Sequence, residues 1–110
     1  MGRNLIEKIL SSKCGRPVSA GDIVVAEVDF VMGQDGTTPL AINAFRDMHG
    51  TALFDPSRVA LVIDHSAPSP TEGVSNLHKL MRDFAGETGC HLYDVGEGVC
   101  HQLMLESGVI

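Results

Sequence analysis

Five consecutive apolar residues, Val59-Ala60-Leu61-Val62-Ile63, constrain this chain more than any other feature. The turn pair Asp55-Pro56 precedes the run and Asp64-His65 follows it. The run is short and rich in β-branched residues, which favours a strand over a helix. A strand that is apolar on both sides must be covered on both faces. That is the situation of a strand inside a parallel sheet, with helices above and below it.

The flanking segments supply those helices. Asn4 to Lys13 reads as a helix: Asn4 is a cap, Glu7 completes a capping box, and Leu5, Ile6, Ile9 and Leu10 recur at helical spacing. Gly15 is placed to end it, and Pro17 forbids its continuation. After the turn Ala20-Gly21-Asp22, the stretch Ile23 to Met32 reads as a strand on the strength of Ile23, Val24, Val25, Val28 and Val31, with Asp29 marking its end or a bulge. Gly33-Gln34-Asp35-Gly36 is a loop. Thr38 then caps a helix that has Pro39 in its first position and runs from Leu40 to Met48. Ser69-Pro70-Thr71-Glu72 reads as a second capping box, and Val74, Leu77, Leu80, Met81 and Phe84 form the apolar face that follows. His91 to Val95 is a short strand, Gly96-Glu97-Gly98 a tight loop, and Val99 to Leu105 a short helix.

The order α-β-α-β-α-β predicts an α/β fold, a three-layer α/β/α arrangement around a mostly parallel sheet. No repeat, linker or low-complexity tract divides the chain, so residues 1–110 read as one piece. Its apolar ending, Gly108-Val109-Ile110, predicts a domain that continues beyond it. A three-stranded slice of a larger sheet is expected to be marginally stable or to self-associate through uncovered edges.

Charge and cysteine usage narrow the function. The net charge is −6, and the basic residues Arg3, Lys8, Lys13 and Arg16 are scattered among acids, so no nucleic-acid surface is expected. No run approaches the roughly 18 apolar residues of a membrane span. The first residues carry Asn4 and Glu7 where a secretion signal would be apolar. Cys14, Cys90 and Cys100 are odd in number and far apart, which predicts free thiols in a reducing cytoplasm.

Ligands of open parallel sheets bind beyond the carboxyl ends of the strands. Gln34-Asp35, Asp64-His65, and Glu97 with His101 all fall just past predicted strands. Amide, carboxylate and imidazole groups on one rim suit acid/base chemistry on a small polar substrate. In Asp64-His65 the carboxylate can orient the imidazole as a general acid; a solvated turn is the alternative reading. Gly33 to Pro39 leads into a helix N-terminus that could offer amides to an anion, but it lacks the phosphate-loop lysine, and a plain glycine turn fits as well. Cys100-His101 lacks the spacing of a self-contained zinc site, and no metal ligand is assigned. His49, His78 and His91 read as surface or helix-end residues, and Met32, Met48 and Met81 as core fillers.

Four segments together resemble a known family. They are Asn4-Leu5-Ile6-Glu7-Lys8-Ile9-Leu10, Gln34-Asp35-Gly36-Thr37-Thr38-Pro39-Leu40-Ala41-Ile42, Val62-Ile63-Asp64-His65, and Tyr93-Asp94-Val95-Gly96-Glu97-Gly98-Val99-Cys100-His101-Gln102. In order and spacing they resemble the start of the large subunits of 3-isopropylmalate dehydratase and homoaconitase, within the aconitase superfamily. The resemblance implies an N-terminal segment of a hydro-lyase that moves water between adjacent carbons of a hydroxy-polycarboxylic acid, as in leucine biosynthesis. It implies a [4Fe–4S] cluster in the whole enzyme, acting as a Lewis acid, and a small-subunit partner that closes over the site. By motif, Gln34 is expected to contact substrate, Asp64 and His65 to protonate the departing hydroxyl, and His101 to serve in a second active-site pair. Glutamine at the position of Gln34 is the aconitase pattern, whereas the isopropylmalate branch often has histidine, so the substrate stays open. The cluster cysteines, the catalytic serine in an Asp-Ser-His motif, the base and most substrate-binding arginines are expected downstream of residue 110. Cys14, Cys90 and Cys100 match none of the cluster ligands, and the isolated chain is expected to be inactive. The alternative is a stand-alone, non-catalytic interaction module that docks on a partner dehydratase.

Overall fold

The computed structural model describes residues 2–108. Val109 and Ile110, part of the apolar ending noted above, lie outside the described residues. The elements are α1 (Leu5–Cys14), β1 (Val31–Gln34), α2 (Thr38–Asp47), a short 3-10 turn (Pro56–Arg58), β2 (Val59–Val62), α3 (Glu72–Thr88), β3 (His91–Tyr93) and α4 (Cys100–Glu106). The strands form one parallel sheet in the order β1-β2-β3, with Gln34 opposite Val62 and Val62 opposite Tyr93. Their carboxyl ends therefore share one rim.

The central run behaves as its composition demands. Ala60, Leu61, Val62 and Ile63 are all buried. One face of the sheet, through Leu61 and Ile63, packs on Ile42 of α2 and on Met81, Phe84 and Ala85 of α3. Phe45 and Phe84 meet edge to face there, with ring centroids 5.7 Å apart. The other face, through Ala60 and Val62, packs on Cys100 and Met104 of α4. The result is three layers, α/β/α, around an all-parallel sheet.

Several local expectations are corrected. The predicted strand from Ile23 to Met32 is absent over residues 23–30; β1 starts at Val31 and includes Gly33 and Gln34. A strand needs a partner for its backbone groups, and on this edge of β2 only Val31–Gln34 pair with it. Ile23 and Val25 are instead 94% and 93% exposed. Thr38 is not the cap of α2 but its first residue; Thr37 holds the cap position without a side-chain bond. Ser69 does not cap α3. Thr71 does, accepting from the N–H of Val74, and Pro70 lies before the helix. Leu77 is exposed and His78 is buried in the face assigned to Leu77. β3 stops at Tyr93, two residues short of Val95, where the ladder with β2 ends.

The first helix matches its reading closely. Asn4 and Glu7 form the reciprocal capping box, and Gly15 ends the helix at a φ of 76°. No residue of α1 is buried, however.

Candidate functional site

The site is built where β2 runs out. Asp64 and His65 are the first polar residues after Ile63, and the structure brings their side chains together: His65 Nδ1 lies 2.5 Å from Asp64 Oδ1. Asp64 Oδ2 accepts the backbone N–H of Cys100, the first residue of α4, at 2.7 Å. The Asp64 carboxylate thus spans from the end of β2 to the start of α4, and both of its oxygens are engaged. Its side chain is nearly buried, while that of His65 is half exposed.

The electrostatics follow from these contacts. Burial pushes the Asp64 carboxyl up, but the Cys100 N–H and the His65 ring outweigh it and leave it below the usual range. The hydrogen bond to Asp64 raises the His65 imidazole above its ordinary value against slight desolvation, with the charges of Asp64 and Asp35 adding to the effect. Nδ1–H directed at Asp64 leaves Nε2 as the nitrogen that can exchange a proton with a ligand. Burial, with the nearby Asp64, pushes the Cys100 thiol up, so it stays protonated.

Asp35 organises the loop from beneath. Its carboxylate accepts the backbone N–H groups of Asp64 (3.4 Å), His65 (2.9 Å) and Ser66 (2.8 Å). It also meets His78 Nε2 at 3.2 Å. Burial raises the Asp35 carboxyl, yet the four hydrogen-bonding partners lower it further than burial lifts it. By sequence alone Asp35 is one of the rim pair Gln34-Asp35 and His78 a surface or helix-end residue. The structure buries both. The signal that was available is spacing: His78 shares a helical stripe with Met81 and Ala85, at i+3 and i+7.

The other candidates are placed less centrally. Gln34 ends β1 on the same rim, but its amide folds over its own turn. Its Oε1 accepts from the Gly36 N–H, and its Nε2 donates to Thr37 Oγ1 at 3.2 Å. His101 is the second residue of α4 and is exposed. No hydrogen bond joins it to Asp64 or His65 among the described residues. Glu97 closes the Asp94–Gly98 turn by accepting the Asp94 N–H at 2.5 Å. A cavity of about 210 Å³ opens beside Asp64, lined by Ile63, Ala67, Gly96, Gly98 and Val99. That is below the roughly 300–1,000 Å³ of typical small-molecule sites.

Asp64, His65 and Cys100 present donor atoms within 4.8 Å of one another, the one such metal-capable group among the described residues. Asp64 already spends one oxygen on the His65 ring and the other on the backbone N–H of Cys100. The three cysteines do not form a cluster ligand set. Cys14 ends α1, Cys90 lies in one core face and Cys100 in the other. The residues present therefore do not fit an iron–sulfur cluster.

The chain is thus an α/β protein whose parallel sheet carries, at the carboxyl ends of its strands, a polar rim with a carboxylate–imidazole pair. No family model matches the chain. It is 46% identical over 108 residues to a 3-isopropylmalate dehydratase large subunit of Methanoregula boonei, covering 98% of the chain and 26% of that relative. It is 47% identical over 109 residues to a 3-isopropylmalate dehydratase large subunit of Thermotoga maritima, and 43% identical over 109 residues to a homoaconitase large subunit of Thermus thermophilus. Each of those matches covers 99% of the chain and 26% of the relative. The chain is homologous to a fragment of the large subunits that carry these two names, and it spans about a quarter of their length. No described helix is long and apolar enough to cross a membrane.

Proposed function

We propose that this chain contributes the proton-donating wall of a hydro-lyase that dehydrates and rehydrates a hydroxy-polycarboxylic acid of the 3-isopropylmalate or homocitrate type. The observation that carries the reading is the Asp64–His65 pair. It is a half-exposed imidazole held by a nearly buried carboxylate, 2.5 Å away, at a strand end where Asp64 lines a cavity. Loss of a hydroxyl from carbon requires a proton on the departing oxygen, and an imidazolium beside a carboxylate supplies one near neutral pH. In this reading Asp64 orients His65 and holds it charged, and His65 donates through Nε2. Gln34 turns its amide from its own loop to the substrate, and His101 approaches from α4. The [4Fe–4S] cluster of the whole enzyme is held by residues outside this chain, and a small subunit completes the pocket. The setting is a cytoplasmic enzyme of leucine biosynthesis, and the isolated chain is inactive. The exposed Ile23, Val25 and Phe54 are covered in the assembled enzyme and favour self-association of the chain alone.

The test is to assemble a large subunit containing this sequence with its small subunit. Turnover of isopropylmalate, homocitrate and citrate is then followed by the absorbance of the dehydrated acid. We expect turnover of one of the three and a loss of about 10²–10⁴-fold in kcat for His65→Gln. An assembled enzyme that turns over none of them, or one indifferent to His65→Gln, would overturn the reading.

A further inference from the structure

We infer that Asp35 is a positioning residue for the Asp64–His65 pair, and that His78 holds Asp35 in place from the core side. The inference rests on the proton-transfer reading of that pair. The Asp35 side chain has no exposed surface, and that of His78 is only 2% exposed. A carboxylate with no access to solvent cannot touch a substrate, and unpaired it would be costly to bury. It is kept by its donors, and three of the four are successive backbone N–H groups of the loop that carries the pair. Consecutive N–H groups converging on one anion fix the backbone that bears them. Here the anion is a side chain from the end of β1. The fourth donor, His78 Nε2, comes from the middle of α3. Asp35 therefore ties β1, the loop after β2 and α3 together at the point where His65 must be aimed.

Asp35 also acts on His65 by charge. Its Oδ1 lies 3.5 Å from His65 Nδ1, beyond a good hydrogen bond but near enough to favour the imidazolium. The titratable groups facing His65 are Asp64 at 2.5 Å and Asp35, with the Cys100 thiol close by. Those facing His78 are Asp35 and, at longer range, Asp94 with its partner Arg82. A group that only stabilised the fold would change melting when altered, without changing the titration of His65.

The experiment is an NMR pH titration of the His65 ring in the 110-residue chain, beside the amide shifts of His65 and Ser66. It compares wild type, Asp35→Asn and His78→Gln. In Asp35→Asn the His65 titration moves down toward the ordinary imidazole value, and both amide signals shift upfield as they lose a charged acceptor. In the assembled enzyme kcat falls by about 10²-fold with KM little changed, as expected for a misaimed reacting group. His78→Gln shows the same changes to a smaller degree. A folded Asp35→Asn variant with an unaltered His65 titration and unaltered kcat overturns the inference. If Asp35→Asn does not fold, His78→Gln decides, and an unchanged His65 titration there overturns it equally. A wild-type assembly without hydro-lyase activity defeats the functional reading but leaves the coupling measured by NMR intact, so the two failures are distinguishable.

Discussion

At the residue scale, close contacts set which substitutions matter. Gly33 lies in β1, and a Cβ added there would come within 2.2 Å of Thr38 Oγ1. Thr38 is buried, so the hydroxyl cannot swing away cheaply. Gly33→Ala is expected to cost about 1–3 kcal/mol through overpacking, read as a lower urea midpoint with an unchanged slope. The proton chemistry is equally local. The folded-state titration of His65 is raised, so the favourable contact with Asp64 is fully present below the ordinary imidazole value and is lost as pH rises through the folded one. Asp64→Asn removes the hydrogen-bonded charge. It should bring the His65 titration down, seen by NMR, and move the alkaline limb of any His65-dependent rate to lower pH. An unchanged titration would show that Asp64 does not set the state of His65. Asp64 and His65 were legible in the sequence because they end an apolar run. His78 was not, since nothing on its helical face announces that the opposing buried group is a carboxylate.

At the scale of elements, side-chain bonds fix how the loops leave the sheet. Arg82 of α3 grips Asp94, just past β3, through Nε and Nη2, each at 2.7 Å. That grip lowers the Asp94 carboxyl from 3.8 to about 2, against a smaller opposing effect of burial. A depressed carboxylate contributes stability that is present above 3.8 and lost as pH falls toward 2. Both side chains are about two-fifths exposed, so solvent screens much of the gain. Arg82→Ala should therefore lower melting slightly at neutral pH, followed by circular dichroism, and the difference from wild type should vanish as pH falls toward 2. A large loss at neutral pH would instead point to packing by the arginine stem. Helix ends were legible to within a residue or two: Asn4 and Gly15 act where expected, while the caps at Thr37 and Thr71 were displaced. A cap depends on where the chain enters the helix, and packing decides that.

At the scale of the whole molecule, the core is small and divided between the two faces of the sheet. The radius of gyration is 16.5 Å, against about 13 Å for a compact domain of similar length. The difference is consistent with α1, which buries no residue, and with the exposed stretch around Ile23 and Val25. Stability must then come from the sheet and its three covering helices. Met81, wholly buried against Leu61 and Ile63, should cost about 2–5 kcal/mol when changed to alanine. Leu40, 73% exposed, should cost less than about 0.5 kcal/mol when changed likewise. Urea unfolding of the two variants checks the contrast. Equal losses would mean that the surface of α2 is covered in solution.

The sequence by itself determined the class of fold. Periodicity and turn chemistry are local, and the unbroken, β-branched apolar run from Val59 to Ile63 favours a strand covered on both faces. It also marked Asp64 and His65, because polar residues that end such a run must emerge at the rim. Only the tertiary structure decided that residues 23–30 stay outside the sheet, since a strand exists by virtue of its partner strand. The tertiary structure alone also joined Asp35 to a loop 29–31 positions away and to a histidine 43 positions away. Helical spacing can mark His78 as inward-facing, but which group it meets there is set by neighbours distant in sequence, and no local pattern of residues carries that information.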